Sequence, residues 1–340
     1  MTAVLEVRDL RVWYGTARGS VRAVDRVSLQ IDAGSVLGLV GESGSGKSTL
    51  GRGILGLLPD GARADGEVLY KGRNLVGMSQ RELRRMRGPE LGLIFQEPMT
   101  RLNPLLRIED HFKETLEQHE SKLTDKEIRR RSLDTLGRMG IPPTRFRQYP
   151  HEFSGGMRQR IMIALALVLR PSLLVADEPT TSLDVIVEAQ ILRILADLKE
   201  NFDTALLLIT HNLGIVAEAC DRVAVMYAGQ ISEEGPARDV FADPKHPYTR
   251  ELLRSTISLD TTELHSIPGA PPNLISPPSG CRFHPRCPDV MRVCPAKDPI
   301  ETQPDPDRRV LCWLHGPETE IPDGGTAPAE RARIAVAEEA

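Results

Sequence analysis

Only five of the 340 residues are cysteine, and four of these fall in the last quarter of the chain. A count this low argues against a disulfide scaffold, so the clustering needs another explanation. Basic residues do not outnumber acidic ones: the formal net charge is −4, which gives no positive surplus to follow a phosphate backbone and argues against a nucleic-acid partner. Long apolar runs are also missing. The longest uncharged one, Ile161 to Leu169, falls well short of the roughly 20 residues that a membrane-crossing helix needs. The opening MTAVLEVRDL carries acidic residues early and lacks a basic stretch followed by an apolar core, so it does not read as a secretory signal. The expectation is a protein that stays in the cytoplasm.

What is present suits a folded core. With 40% hydrophobic and 26% charged residues the chain can build one large domain or two smaller ones. From Val4 to Ile31 short β-prone runs alternate with glycine-containing turns, predicting an antiparallel opening sheet. Ser35 to Val40 reads as a buried strand, Gly41 to Ser48 as a glycine-rich loop, and Thr49 to Leu58 as a helix ending near Pro59. Leu173 to Ala176 and Ala205 to Ile209 are further buried strand patterns, separated by a helical stretch from Val185 to Lys199, as a parallel α/β sheet requires. Glu109 to Gly140 and Ser154 to Leu169 have helical spacing and predict a helical subdomain interrupting the sheet, over about 97–168. The chain is therefore divided into an α/β domain over 1–250, a small cysteine-containing module over 251–316, and a flexible tail over 317–340.

Gly41-Glu-Ser-Gly-Ser-Gly-Lys47-Ser48 matches G-x-x-x-x-G-K-[ST] between a strand and a helix, the context in which that pattern cradles phosphate. Glycines let backbone N–H groups converge on phosphate oxygens, the helix N-terminus adds its dipole, and Lys47 supplies a point charge. The nucleotide-contacting set reads as Gly41, Ser43, Gly44, Ser45, Gly46, Lys47, Ser48 and Thr49, with ATP as ligand and Ser48 on Mg²⁺. The run Leu173-Leu-Val-Ala-Asp177-Glu178 ends a strand in two carboxylates at the sheet edge where open α/β proteins bind ligands. Asp177 then completes the Mg²⁺ shell and Glu178 orients and activates the attacking water.

With these residues in hand, Ser154-Gly155-Gly156-Met157-Arg158-Gln159-Arg160 resembles the signature of the ABC ATPases, which implies a P-loop fold with a RecA-like core, an antiparallel β-subdomain and a helical subdomain. The usual form is LSGGQ; Phe153 and Met157 depart from it, and FSGGM resembles the variant of peptide-permease subunits. Ser154, Gly155 and Gly156 open a helix and form a second phosphate-seeking N-terminus, which in the family serves the partner subunit's ATP. The resemblance further implies that Tyr14 stacks on adenine and that Gln96 senses Mg²⁺ and the membrane subunits. It also makes Ser182 and Asp184 part of the D-loop, and His211 the switch histidine near the γ-phosphate. Lys47, Gln96, Glu178 and His211 form the implied catalytic set.

Three C-terminal segments, His246-Pro-Tyr-Thr-Arg250, Pro268-Gly-Ala-Pro-Pro272 and Cys281-Arg-Phe-His-Pro-Arg-Cys287, resemble the extension of dipeptide and oligopeptide importer ATPases. That resemblance implies a peripheral subunit on the cytoplasmic face of the cell membrane. Its partners would be a second, distinct ATPase subunit forming a heterodimer, two transmembrane permease subunits and an extracytoplasmic peptide-binding protein. Importers of nickel or another small solute share nearly all the same motifs, and a soluble regulatory or repair ATPase is the alternative from another class. Cys281, Cys287, Cys294 and Cys312 contain no C-x-x-C pair and miss the usual zinc spacing. For them the resemblance implies a four-iron four-sulfur cluster; zinc and unligated thiols are the alternatives. Cys220 stands apart and reads as packing.

Overall fold

A computed structural model describes residues 3–94, 102–180, 204–255 and 265–316, together with Glu188 and Ile191. Strand β1 (Ala3–Thr16) buries Leu5 and Val7 and then Leu10 and Val12, so the buried phase slips by one residue midway. The slip is a β-bulge: register with β2 (Gly19–Asp32) shifts there, and Asp9 takes φ +48° while its N–H donates to Ser28 Oγ at 2.9 Å. With β4 (Ala62–Tyr70) and β5 (Arg73–Asn74) these strands form an antiparallel sheet in the order β2-β1-β4-β5. The expected antiparallel opening sheet is therefore present.

The second sheet has eight strands among the described residues and runs β11-β12-β10-β9-β3-β8-β7-β6. Its parallel part comprises β3 (Val36–Val40), β6 (Leu91–Ile94), β7 (Leu173–Asp177), β8 (Ala205–Ile209) and β9 (Arg222–Tyr227). Strands β3, β7 and β8 are buried along their whole length, which explains their unbroken apolar sequence. Alternate residues then serve two cores. Leu37, Leu39, Leu173, Val175, Leu207 and Ile209 face the antiparallel sheet and α1 (Lys47–Ile54). Val36, Leu174, Ala176, Leu206 and Leu208 face a helical layer. Each of these leucines contributes about 1.5–3 kcal/mol by burial.

Helix α1 is shorter than its apolar pattern predicts, stopping at Ile54 instead of Leu58. The reason is Gly56 at φ +62°: its N–H reaches Gly53 O at 3.1 Å, and the Leu57 N–H reaches Arg52 O at 2.8 Å. This 6→1, 5→2 pair is a Schellman stop. Helix α2 (Gln80–Met86) starts on a capping box between Ser79 and Glu82. The helical layer holds α3 (Ile108–His119), α4 (Asp125–Arg138) and α5 (Gly155–Leu167), inserted between β6 and β7 as the spacing predicted. Thr124 and Glu127 cap α4 reciprocally, worth about 1 kcal/mol. Phe112, Leu116, Ile128, Leu136, Ile161 and Leu167 then close the layer onto the sheet.

Helix α6 (Leu213–Ala219) leads into β9, and beyond that strand come β10 (Gln230–Pro236), α7 (Ala237–Ala242) and α8 (Pro247–Arg254). Strands β11 (Glu301–Asp305) and β12 (Arg308–Leu311) form a hairpin whose second strand pairs antiparallel with β10, Glu233 opposite Val310. The proline-rich C-terminal segment thus extends the same sheet. A third core unites Val40, Val223, Val225, Tyr227, Tyr248, Cys281, Phe283, Cys294 and Trp313.

Candidate nucleotide site

The phosphate loop leaves β3 and enters α1 through glycines that nothing else could replace. Gly41 has φ +149°, and an added Cβ would lie 2.1 Å from Met226 O; Gly46 has φ +107° and would meet Ala23 O at 2.0 Å. The loop is therefore clamped between the end of β9 and strand β2. A Gly229 N–H donating to Ser45 O at 2.8 Å adds to the clamp. At Gly44 a Cβ would enter open space, so φ +81° alone calls for glycine there. Among the described residues Ser45 Oγ is buried without a hydrogen-bond partner, as fits a hydroxyl whose natural partner is a ligand oxygen.

Lys47 donates from Nζ to Gly41 O at 2.8 Å and to Glu42 O at 2.9 Å, so its ammonium is held over the loop. Burial lowers its pKa, and the carboxylates of Glu178, Asp177 and Glu42 oppose that shift. Ser48 Oγ donates to Asp177 Oδ1 at 2.8 Å, joining the start of α1 to the end of β7 across the intervening β8. Burial raises the Asp177 pKa against the Ser48 hydrogen bond and the Arg52 charge. A buried carboxylate beside a hydroxyl is a donor set that suits a hard divalent cation such as Mg²⁺.

Glu178 follows Asp177 with φ +46°, and its N–H donates to Ile209 O at 2.9 Å. That left-handed turn aims consecutive carboxylates at different targets. The side chain of Glu178 is 18% exposed, and its Oε2 lies 3.9 Å from Nδ1 of His211, which stands 68% exposed just beyond β8. Tyr14, in β1, is half-buried and donates from Oη to Thr49 Oγ1 at 3.3 Å. Ser154 is the N-cap of α5, its Oγ accepting from the Met157 N–H at 3.4 Å, with Gly155 and Gly156 as the first helical residues. Gln96, Ser182 and Asp184 lie outside the described residues, as do most of the stretch 185–199 and the tail 317–340.

Three connections escaped the sequence reading. Gln159, buried in α5, donates its amide to Pro179 O and so ties the signature helix to the turn that carries Glu178. Glu188 Oε1 accepts from Thr180 at 3.0 Å and from Asn212 at 3.3 Å, linking the segments after β7 and β8. Glu42, an unspecified position of the phosphate-loop pattern, is engaged by Tyr248 and Arg286 from the C-terminal segment. No motif in a single sequence signals such pairs, which lie 8 to 244 residues apart.

The four C-terminal cysteines are free of disulfides. Burial raises all four thiol pKa values, to about 11 at Cys281 and about 12 at Cys312. Cys287 feels the charges of Cys281, Cys312 and Cys294, and backbone N–H groups such as those of Phe283, Asp289 and Leu314 approach the sulfurs. Among the described residues, however, no group of three or more His, Cys, Asp or Glu side chains is arranged to hold a metal ion. The expected iron–sulfur site therefore does not emerge from the fold as described, in which Cys281, Cys287 and Cys294 pack against apolar side chains. Cys220 is half-buried at the end of α6, against Gly38, as packing, its pKa pushed up to about 12 by burial.

Among the described residues no helix is long and apolar enough to cross a membrane. Residues 24–181 match the family profile "ABC transporter" and residues 232–294 the profile "Oligopeptide/dipeptide transporter, C-terminal region". The oligopeptide transport ATP-binding protein OppD of Salmonella typhimurium is 49% identical over 91% of this chain and 93% of its own length. The dipeptide transport ATP-binding protein DppD of Bacillus subtilis is 46% identical over 94% of this chain and 97% of its own. Among solved structures, the dimeric bacterial ABC transporter cassette MJ0796 superposes with a TM-score of 0.61 at 26% identity, covering 69% of this chain and 99% of that one. The same cassette is known in a post-hydrolysis dimer bound to ADP and Pi, with the same score and coverage. With the phosphate loop, the paired carboxylates and the signature helix placed as they are, the chain belongs to the ABC transporter ATP-binding proteins, in the oligopeptide and dipeptide branch.

Proposed function

We propose that this chain binds and hydrolyses MgATP to drive uptake of dipeptides or oligopeptides, as one of two ATPase subunits seated on the cytoplasmic face of a membrane permease. The observation that carries this reading is the Ser48–Asp177 contact at 2.8 Å, which assembles phosphate loop and carboxylate strand in a chain whose C-terminal segment matches peptide transporters. In this reading Lys47 and the loop N–H groups hold the β- and γ-phosphates, and Ser48, Asp177 and Gln96 hold Mg²⁺, which supplies charge neutralisation when bound. Glu178 orients the attacking water and accepts its proton, and His211 contacts the γ-phosphate.

The opposite wall of the site comes from Ser154, Gly155 and Gly156 of a partner ATPase, which this reading takes to be a distinct chain in a heterodimer. Support comes from the N-capped α5 helix, 13 residues long, and from the dimeric state of the MJ0796 cassette. Ser182 and Asp184 complete the D-loop at that interface. Gln96 and the residues after it face the coupling elements of two permease subunits, which an extracytoplasmic peptide-binding protein supplies. The domain division is 1–250 for the ATPase, 251–316 for the cysteine-containing part and 317–340 for a tail. For Cys281, Cys287, Cys294 and Cys312 the finer reading is thiolate ligation of a four-iron four-sulfur cluster. It is supported by four free thiols within mutual electrostatic reach, and it requires the sulfurs to draw together.

Reconstitution with the permease and binding subunits in proteoliposomes tests the assignment. ATP-dependent uptake of a labelled dipeptide or tripeptide is expected, and it should vanish with Lys47→Ala. Uptake of nickel that peptides fail to compete with would overturn the substrate class.

A further inference from the structure

Glu42 is the second residue of the phosphate loop, and all of its polar groups are spoken for. Its N–H donates to Tyr248 Oη at 2.9 Å, and its carbonyl accepts from Lys47 Nζ at 2.9 Å. Its carboxylate takes both ends of one guanidinium, Arg286 Nη1 at 2.7 Å and Nη2 at 3.0 Å. Arg286 lies between Cys281 and Cys287, 244 residues further along the chain. Its side chain is 5% exposed and that of Glu42 23% exposed, so the pair is largely withdrawn from water.

Arg286 is itself fixed from behind. Nε donates to Pro268 O at 2.7 Å, Nη2 to Ile267 O at 3.3 Å, and Nη1 to Tyr227 Oη at 3.3 Å. Tyr248 is held by its rings' neighbours: Tyr227 at 4.5 Å and Phe283 at 5.3 Å between centroids. Tyr227 ends β9, the strand against which Gly41 is packed, so loop, strand and C-terminal segment meet at one point.

The chemistry of the loop makes this arrangement consequential. A loop that gathers N–H groups around a polyphosphate is a poor place for a bare carboxylate, because like charges at short range in a partly dry site repel strongly. A bidentate guanidinium cancels that charge and fixes its position, which a flexible ammonium would do less well. We propose that Arg286 and Tyr248 are positioning residues for the ATPase reaction: they neutralise and anchor Glu42, and so keep the phosphate loop preformed for nucleotide. This inference rests on the ATPase reading above and adds a role for the C-terminal segment at the nucleotide site itself.

Loss of Arg286 leaves the Glu42 carboxylate uncompensated and the loop free to sample conformations that do not bind, so affinity falls by the competent fraction. Turnover of bound ATP is expected to stay near wild type, because the described hydrogen bonds that hold the pair run to Tyr227, Tyr248, Ile267 and Pro268. The test is equilibrium binding of a fluorescent ATP analogue to the full chain, with KM and kcat for ATP in the assembled transporter. Arg286→Met is expected to weaken binding and raise KM about tenfold, with kcat within about twofold. Glu42→Gln, which removes the charge and part of the anchor, should weaken binding less than Arg286→Met, and in the Arg286→Met background it should restore most of the lost affinity. Tyr248→Phe, which keeps the ring and removes the oxygen that receives the Glu42 N–H, should weaken binding about threefold; it carries the test if Arg286→Met does not fold. Unchanged binding in Arg286→Met and Tyr248→Phe would overturn the inference, as would a fall in kcat at constant KM or an additive loss in the Glu42→Gln, Arg286→Met chain. A wild-type chain that binds no ATP would instead refute the ATPase reading beneath it.

Discussion

Replacing Glu178 by glutamine separates binding from chemistry at the nucleotide site. The residue sits at φ +46°, its N–H fixed on Ile209 O at 2.9 Å and its carboxylate 3.9 Å from His211 Nδ1. Glutamine keeps the length, the backbone strain and the hydrogen-bonding reach, and it removes the negative charge and the proton-accepting oxygen. The described hydrogen bonds of the groups that bind nucleotide run elsewhere, from Lys47 to Gly41 O and Glu42 O and from Ser48 to Asp177. Loss of one well-placed group that acts on the transition state costs about 2.7–4 kcal/mol, or about 10²–10³ in turnover. The expected outcome is an ATP affinity within about twofold of wild type, an unchanged Tm and at least about a hundredfold slower phosphate release. Equilibrium nucleotide binding, differential scanning fluorimetry and single-turnover phosphate release measure the three separately. Undiminished phosphate release would refute the assignment of Glu178, and a lost ATP affinity would show that the carboxylate serves binding instead.

Two further outcomes follow from the C-terminal part of the chain. Arg308 joins the β11–β12 hairpin to β10 by donating from Nε and Nη2 to Glu233 Oε1 at 3.0 and 2.6 Å, with side chains only 3% and 0% exposed. Arg308→Met removes the charge partner and leaves that carboxylate to the N–H groups of Lys245 and His246, at a cost of about 3–5 kcal/mol or a drop of about 4–7 °C in Tm, and a drop below about 2 °C would contradict this account of the joint. Anaerobic purification with assays of iron and acid-labile sulfide tests the cofactor proposal: equal amounts near four per chain, lost in Cys287→Ser, are expected, while zinc alone or no metal would remove the cluster from the reading.

The local chemistry of nucleotide binding was legible residue by residue. A phosphate loop is a short contiguous stretch whose glycines, lysine and serine each have a backbone or charge reason to be there, and strands buried on both faces betray themselves by unbroken apolar runs such as Leu173–Ala176 and Ala205–Ile209. The helical insertion was also readable, because α3, α4 and α5 repeat apolar residues at helical spacing. Where α1 ends was not, since the stop depends on hydrogen bonds around Gly56 that outweigh the apolar pattern running on to Leu58.

By itself the sequence determined the phosphate loop, the carboxylate pair and the alternation of strand and helix, all of which arise from neighbours along the chain. Tertiary structure alone decided that Asp177 meets Ser48, that Gln159 reaches Pro179, and that Arg286 comes back to Glu42. It also decided that the C-terminal hairpin completes the sheet of the ATPase. The physical reason is that these contacts join residues far apart in the chain. Their geometry is set by which strands lie side by side and which faces are dry, and no local pattern encodes that.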